Sequence, residues 1–165
     1  MTTPVGPRGR AVVVQPDEGP SYWQPVPANG HADPKLTPDL TGFPALSMGY
    51  QTIAPGGHVR EHSHGEQIEL QICLGGRGHV MVDGKRHELQ PGTACFLGYD
   101  VVHEIVNDGD GDLVMMWLIT PHGLEDFFKA VGRPRRAGQP APEPFARPTD
   151  VVAIERGLGM NDTTA

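Results

Sequence analysis

Gly56-Gly57-His58-Val59-Arg60-Glu61-His62-Ser63-His64-Gly65-Glu66-Gln67-Ile68-Glu69-Leu70-Gln71-Ile72-Cys73-Leu74-Gly75-Gly76 is the stretch on which the reading of this chain turns. On an extended backbone, side chains two residues apart project to the same face, so His62 and His64 can converge on one point. A carboxylate at Glu69, opening an apolar run, completes a mixed nitrogen and oxygen donor set. Glu66 competes for that role because it stands closer to His64. Imidazole with carboxylate suits iron, manganese, nickel, cobalt or zinc, and open coordination positions allow such an ion to activate small molecules.

Downstream, the pattern is a series of short alternating strands. In Ile68–Leu74, Glu69, Gln71 and Cys73 share one face while Leu70, Ile72 and Leu74 share the other. A glycine turn leads into His79–Val82, Asp83-Gly84 is a two-residue hairpin signal before Lys85–Leu89, and Pro91-Gly92 turns into Thr93–Leu97. Tyr99–Val106 places His103, Ile105 and Asn107 on one side, and Leu113–Ile119 is a last, very apolar strand. Upstream, Leu46–Ile53 alternates as well. Regular short strands predict an all-β barrel or sandwich.

Outside residues 45–120 the signals weaken. Residues 1–10 read as a loose arm, while Val12–Val14 and Ser21–Trp23 are candidate edge strands. Residues 25–44 form a Pro- and Gly-bearing loop that serves as a lid, a subunit contact or a plain surface connection. Leu124, Phe127, Phe128 and Val131 fall at helical spacing and predict a helix packed on the outside of the barrel. Residues 132–148 form a connector, Asp150–Arg156 a short capped helix, and the last residues a disordered tail. The organisation is thus 1–44, arm and loop with edge strands; 45–120, barrel; 121–165, helix, Pro-rich connector and tail.

At 165 residues, the chain is long enough for one well-packed domain. Its 22 glycines and 17 prolines favour a turn-rich β protein. The net charge of −7, with no basic stripe in the β region, argues against a nucleic-acid binder. Arg133, Arg135 and Arg136 read as solvated charges in the connector. Ala11-Val12-Val13-Val14 is too short for a secretory signal core and no run reaches membrane-spanning length, so no membrane association and a cytoplasmic location are expected. Cys73 and Cys95 sit in strand-like runs as small hydrophobes, without a disulfide framework.

Taken with its spacings, Gly56-x5-His62-x-His64-x4-Glu69-x6-Gly76 resembles the first motif of the cupin superfamily at every defined position. The second motif is similar in Gly92-x5-Gly98-x-Asp100-x2-His103-x3-Asn107, except that Gly98 stands where proline is usual and Asp100 where glycine is usual. The resemblance implies a double-stranded β-helix, the jelly-roll barrel of cupins, with a short C-terminal helical extension. It also implies a metal held by His62, His64, Glu69 and His103, and a homodimer. A weaker resemblance, through the Trp23 region and Ile119–Phe128, is to single-domain cupins related to flavonol (quercetin-type) dioxygenases.

The functional expectation is therefore a metal-dependent dioxygenase acting with O2 on a small enol, hydroxy-ketone or aromatic substrate, with Fe(II) as the first choice of cofactor and nickel, manganese, cobalt or zinc as others. Glu69 ligates the metal or swings off it as catalytic base. Gln71, Tyr50, Tyr99 and Trp117 are candidate substrate contacts, each with a packing role as the competing explanation. Asn107 is read as a turn residue bonded to backbone. His31, His58, His79, His87 and His122 lack partnered spacing. The alternatives are a metal-dependent isomerase, lyase or decarboxylase on the same scaffold, and a non-catalytic cupin that binds a small ligand.

Overall fold

In the strand Leu113–Thr120, Leu113, Met115, Trp117 and Ile119 are buried and the residues between them only partly so. That alternation repeats along the chain and builds two antiparallel sheets whose inner faces meet. The structure, a computed structural model, describes residues 9–162. The reading of residues 1–10 as a loose arm falls mostly outside those residues, as does the end of the tail.

The larger sheet runs in the order β11 (Arg133–Pro134), β1 (Tyr22–Trp23), β2 (His31–Leu36), β3 (Ser47–Ile53), β10 (Leu113–Thr120), β5 (Ile68–Gly75) and β8 (Ala94–Leu97). The smaller runs β12 (Met160–Asp162), β4 (His58–His64), β9 (His103–Val106), β6 (Gly78–Val82) and β7 (Lys85–Leu89). Three helices complete the described residues: α1 (Pro38–Thr41), α2 (Leu124–Val131) and α3 (Val151–Gly157). The β6–β7 turn holds Asp83 and Gly84 at positive φ, as the Asp-Gly signal predicts. This is the all-β double-stranded β-helix with a helical C-terminal extension.

Two apolar clusters fill the interior. One contains Ile53, Cys73, Val80, Leu89, Ile105, Leu113 and Met115. The other contains Ala32, Trp117, Ile119, Leu124, Phe128 and Met160. On β5, Cys73 belongs to the first cluster, whereas Gln71 and Glu69 lie opposite Trp117 and Ile119 of the second. The change from apolar to polar along one inward face is where the site forms. Cys73 and Cys95 are free thiols.

Several peripheral segments differ from the sequence reading. Val12–Val14 forms no strand, and Val13 is 78% exposed. Residues 25–44 are not one loop: β2 lies between β1 and β3. Asp33 and Pro34 hide this strand from propensity, and the register shifts between Pro34 and Leu36, where the ladder accommodates proline. Buried Lys35 donates from Nζ to the carbonyls of Pro16 (2.7 Å) and Glu18 (2.6 Å), tying the N-terminal segment to β2. The tail is not wholly free, since β12 adds to the edge of β4, Met160 opposite His64. Its short sequence carries no alternation of its own; the open edge of β4 organises it.

Helix α2 packs onto the barrel by one face, as its spacing predicts, leaving Asp126 and Lys129 exposed. Its Leu124, Phe128 and Val131 are buried, Phe128 against Trp117 with ring centroids 5.8 Å apart, and the helix forms a wall of a cavity open to solvent. On β5, Leu70 and Leu74 are 38% and 49% exposed, so no second sheet covers that outer face.

Candidate metal centre

His62 and His64 lie two residues apart on β4, and a register shift between Val59 and His62 sets their pairing with β9. Across that ladder His62 is the direct partner of His103. Glu69 comes from the other sheet, on β5. The four side chains therefore bridge the two sheets, and one potential ligand atom from each lies within 4.8 Å of all the others. Glu66, the alternative carboxylate, is exposed.

The second-motif turn delivers His103 despite its departures. Asp100 adopts the left-handed conformation (φ 59°) that glycine favours, which an aspartate tolerates better than most residues. Its N–H donates to the carbonyl of His64 at 2.9 Å, joining the turn to the strand with the histidine pair. Asn107 is the turn residue expected: Nδ2 donates to the carbonyls of Ile53 (2.7 Å) and Gly111 (2.9 Å), and Oδ1 accepts from the N–H of Gly109 (3.1 Å).

Hydrogen bonds orient the imidazoles. A carbonyl can only accept, so Nδ1 of His62 donates to the carbonyl of Arg60 (2.8 Å) and Nδ1 of His103 to that of Val101 (3.0 Å). Both rings thereby keep an unprotonated Nε2 as ligand atom when neutral. Glu69 Oε2 lies 3.3 Å from His64 Nε2 and 3.4 Å from His103 Nε2. Those contacts lack hydrogen-bond geometry, leaving both Nε2 atoms buried without a partner. Two buried imidazole Nε2 atoms without a hydrogen-bond partner beside one carboxylate are an arrangement that a cation would satisfy. The donor set thus fits a divalent transition metal, without selecting one.

Charge in the cluster keeps His62 neutral and Glu69 ionised, the forms that bind a cation, while in the metal-free protein Glu69 favours the protonated form of His103. Burial, reinforced by the positive character of His103 and His64, pushes His62 down to about 3. Burial alone would raise the Glu69 carboxyl, but His103 and then His64 outweigh it and hold the carboxyl well below its ordinary range. His103 is raised: burial opposes protonation, and the adjoining Glu69 overcomes it.

A cavity opens from this cluster, with about 780 Å³ of empty space counted out to solvent. His62, Glu69 and Gln71 line it with apolar walls from Ile105, Leu124, Phe127, Phe128, Val131 and Met160. Pro25–Ala28, from the start of the 25–44 segment, forms another part of the wall. Gln51 Nε2 donates to Gln24 Oε1 at 2.6 Å, and Gln24 Nε2 to the carbonyl of Thr52 at 3.0 Å. Charged groups also line the cavity: Arg60 and Glu61 from β4, and the ion-paired Arg147 and Glu155. Burial, then the positive charge of Arg60, lowers Arg147 to about 10.

Of the four expected substrate contacts, only Gln71 reaches this cavity. Tyr50 precedes cavity-lining Gln51 on β3, and strand alternation sends it to the other face. Tyr99 is 61% exposed. Trp117 is buried beneath α2 and is shielded from the cavity by the packing of the second cluster. Of the residues that sequence reasoning missed, Arg60 shares the His62 face of β4 by alternation, whereas Gln24, Gln51, Arg147 and Glu155 have no motif spacing and only folding brings them together. A second group with potential ligand atoms, His122, Glu125 and Asp126, has a structural use: Glu125 Oε2 accepts from Ser47 Oγ (2.5 Å) and from the Gly123 N–H (3.0 Å) at the start of α2.

Residues 49–119 match the family model described as the cupin domain. The chain is 29% identical to protein SchB of Streptomyces halstedii over 52% of its own length and 62% of that protein, so it spans about three fifths of that relative. It is 26% identical to the tetracenomycin polyketide synthase protein TcmJ of Streptomyces glaucescens, over 86% of this chain and 89% of TcmJ. Among solved structures, the polyketide cyclase RemF of Streptomyces resistomycificus superposes with a TM-score of 0.61 at 15% identity, covering 68% of this chain and 81% of RemF. That likeness is one of fold. No helix among the described residues is long and apolar enough to cross a membrane.

Proposed function

Through residues 49–119 the chain belongs to the cupin superfamily, and from that premise we propose that it is a metal-dependent enzyme catalysing a non-oxidative, lyase- or cyclase-type rearrangement of a small polyketone. The observation that carries this reading is the set of unpartnered, buried Nε2 atoms of His64 and His103 around Glu69, at the end of an apolar cavity. The similarity to a polyketide synthase protein supports an oxygen-rich, enolisable substrate. Dioxygen cleavage, the first expectation from the sequence, has weaker support: it rested on a resemblance carried by the Trp23 region and Ile119–Phe128, whose residues serve mostly in packing.

In this reading His62, His64, Glu69 and His103 hold a divalent ion, whose Lewis acidity makes a nearby ketone easier to enolise. The hydrogen bonds from Nδ1 to the carbonyls of Arg60 and Val101 keep two imidazoles in one orientation and tautomer. Leu124, Phe127, Phe128 and Val131 exclude water and fold the carbon chain of the substrate against the polar end. Gln71 positions an enol or hydroxyl hydrogen at its Oε1, which is buried without a partner.

The test is elemental analysis of purified protein, followed by incubation with a synthetic tri- or tetraketone and mass spectrometry of the products. A stoichiometric metal with a product that has lost water supports the proposal. A product that has gained dioxygen returns the assignment to a dioxygenase, and absence of a metal favours a binding role.

A further inference from the structure

We propose that Glu155 is the proton acceptor of this cavity and that its ligand carries acidic hydrogens, as an enol, a phenol or a carbon between two carbonyls. The proposal deepens the reading above and rests on it for the chemistry, not for the binding.

Glu155 lies on α3, outside the matched domain, and lines the same cavity as His62 and Glu69. It is 7% exposed. Arg147 occupies Oε1, while Oε2 is buried with no hydrogen-bond partner. Gln71 Oε1 is in the same condition, on a different wall of the cavity, and Gln71 is 4% exposed. Buried acceptors are ordinarily matched by donors. Two orphan acceptors on one cavity, from α3 and β5, call for a ligand that brings the donors with it.

The other candidate bases are less suited. Glu69 is committed to the histidine cluster. His58 is more exposed and stands 4.0 Å from Glu104. Glu61, also on the wall, has interactions of its own. Among the described residues that line the cavity, Glu155 combines deep burial, an oriented carboxylate and an open oxygen.

The step balances without an oxidant. The C–H bond between two carbonyls breaks, the proton passes to Glu155 Oε2, and the electron pair delocalises onto the neighbouring carbonyl oxygen. The carbon then bonds to a second carbonyl carbon of the same molecule, whose oxygen takes the proton back from Glu155.

Two measurements test this. In the first, 1-phenylbutane-1,3-dione is held in deuterium oxide with the metal-loaded protein, and exchange at its central carbon is followed by NMR. Glu155→Gln should slow enzyme-dependent exchange by about 100-fold, and Glu155→Asp should restore part of it, with metal content and melting temperature kept. In the second, metal-free protein is titrated with 1,3-dihydroxynaphthalene and with its dimethyl ether. Glu155→Gln should weaken the diol by about tenfold, as expected for loss of a charge-assisted hydrogen bond, and leave the ether unchanged.

Wild-type exchange in Glu155→Gln overturns the proposal, as does loss of exchange in Glu61→Gln alone. Equal weakening of diol and ether, or loss of metal along with exchange, assigns Glu155 a packing role instead. If wild-type protein holds no metal yet discriminates diol from ether through Glu155, the acceptor role stands and the metal reading fails. If metal is retained and neither measurement responds to Glu155→Gln, the metal reading stands and the acceptor role fails.

Discussion

His62 and His103 face each other as direct partners across β4 and β9, with ring centroids 4.2 Å apart. Two candidate ligands from separate motifs are thus placed by one rung of a β-ladder, and each is oriented by the carbonyl two residues before it in the chain. A sheet register is a rigid support: a one-residue slip of β4 would send His62 to the opposite face, away from His103.

The cluster should fail as a unit when one ligand is removed. His62→Ala or Glu69→Gln is expected to lower metal affinity on the order of 100-fold or more, while the circular dichroism of the barrel stays unchanged. Elemental analysis after dialysis is the check, and unaltered metal content in His62→Ala would mean that the ion, if bound, lies elsewhere.

Asn107 closes its turn with three hydrogen bonds to backbone and is fully buried. Asn107→Ala leaves the carbonyl of Ile53 without this donor inside the protein. Each lost bond of this kind costs about 1 kcal/mol, or more where a buried group is stranded, so a destabilisation of roughly 2–4 kcal/mol is expected in urea unfolding. A loss under about 0.5 kcal/mol would show that these bonds do not hold the turn.

Gly49 tests the packing under α2. A methyl group there would meet the Trp117 ring and the carbonyl oxygen of Asp33, each at 2.6 Å. Because one of these neighbours is backbone of β2, it cannot simply rotate away. Gly49→Ala should therefore cost about 1–3 kcal/mol by overpacking, although alanine suits a strand better than glycine elsewhere. A melting temperature equal to wild type would contradict the close approach of β2 and β3.

Acid should weaken the metal-free barrel. His62 is pushed down to about 3 from an ordinary 6.5, so between these values the unfolded chain binds a proton that the folded one refuses. Stability then falls as pH drops through that window. Glu69, also lowered, acts in the same direction below its ordinary 4.5. His103 is raised and has the opposite sign: its contribution is present below 6.5 and is lost as pH rises through its folded value. Thermal melts of metal-free protein should show a declining melting temperature from pH 6.5 to pH 4, with a shallower decline in His62→Ala. Identical slopes in the two proteins would remove His62 as the cause.

Much of the barrel was legible because strand periodicity is a local property. Alternation from Ile68 to Gly75 places Glu69, Gln71 and Cys73 inward, and the structure buries all three. Spacing by itself offered His62, His64 and a carboxylate; the full set with His103 came from the resemblance to the cupin motifs, and the structure brings the four side chains together into a group that could hold a metal ion. Even the atypical Asp100 left the turn intact, because an aspartate can occupy the left-handed backbone that the position demands.

Sequence alone thus determined the strands, the turns between them and the four candidate ligands. The tertiary structure decided what surrounds those ligands. No local pattern marks Pro25–Ala28, Phe128, Arg147 or Glu155 as neighbours of one cavity; they come from segments that pack there because β2, α2, α3 and β12 bury their surfaces against a barrel already formed. The same physics removed Tyr50, Tyr99 and Trp117 from the site. An aromatic side chain announces burial or exposure in the sequence only weakly, and which cavity it faces depends on the packing of elements distant along the chain.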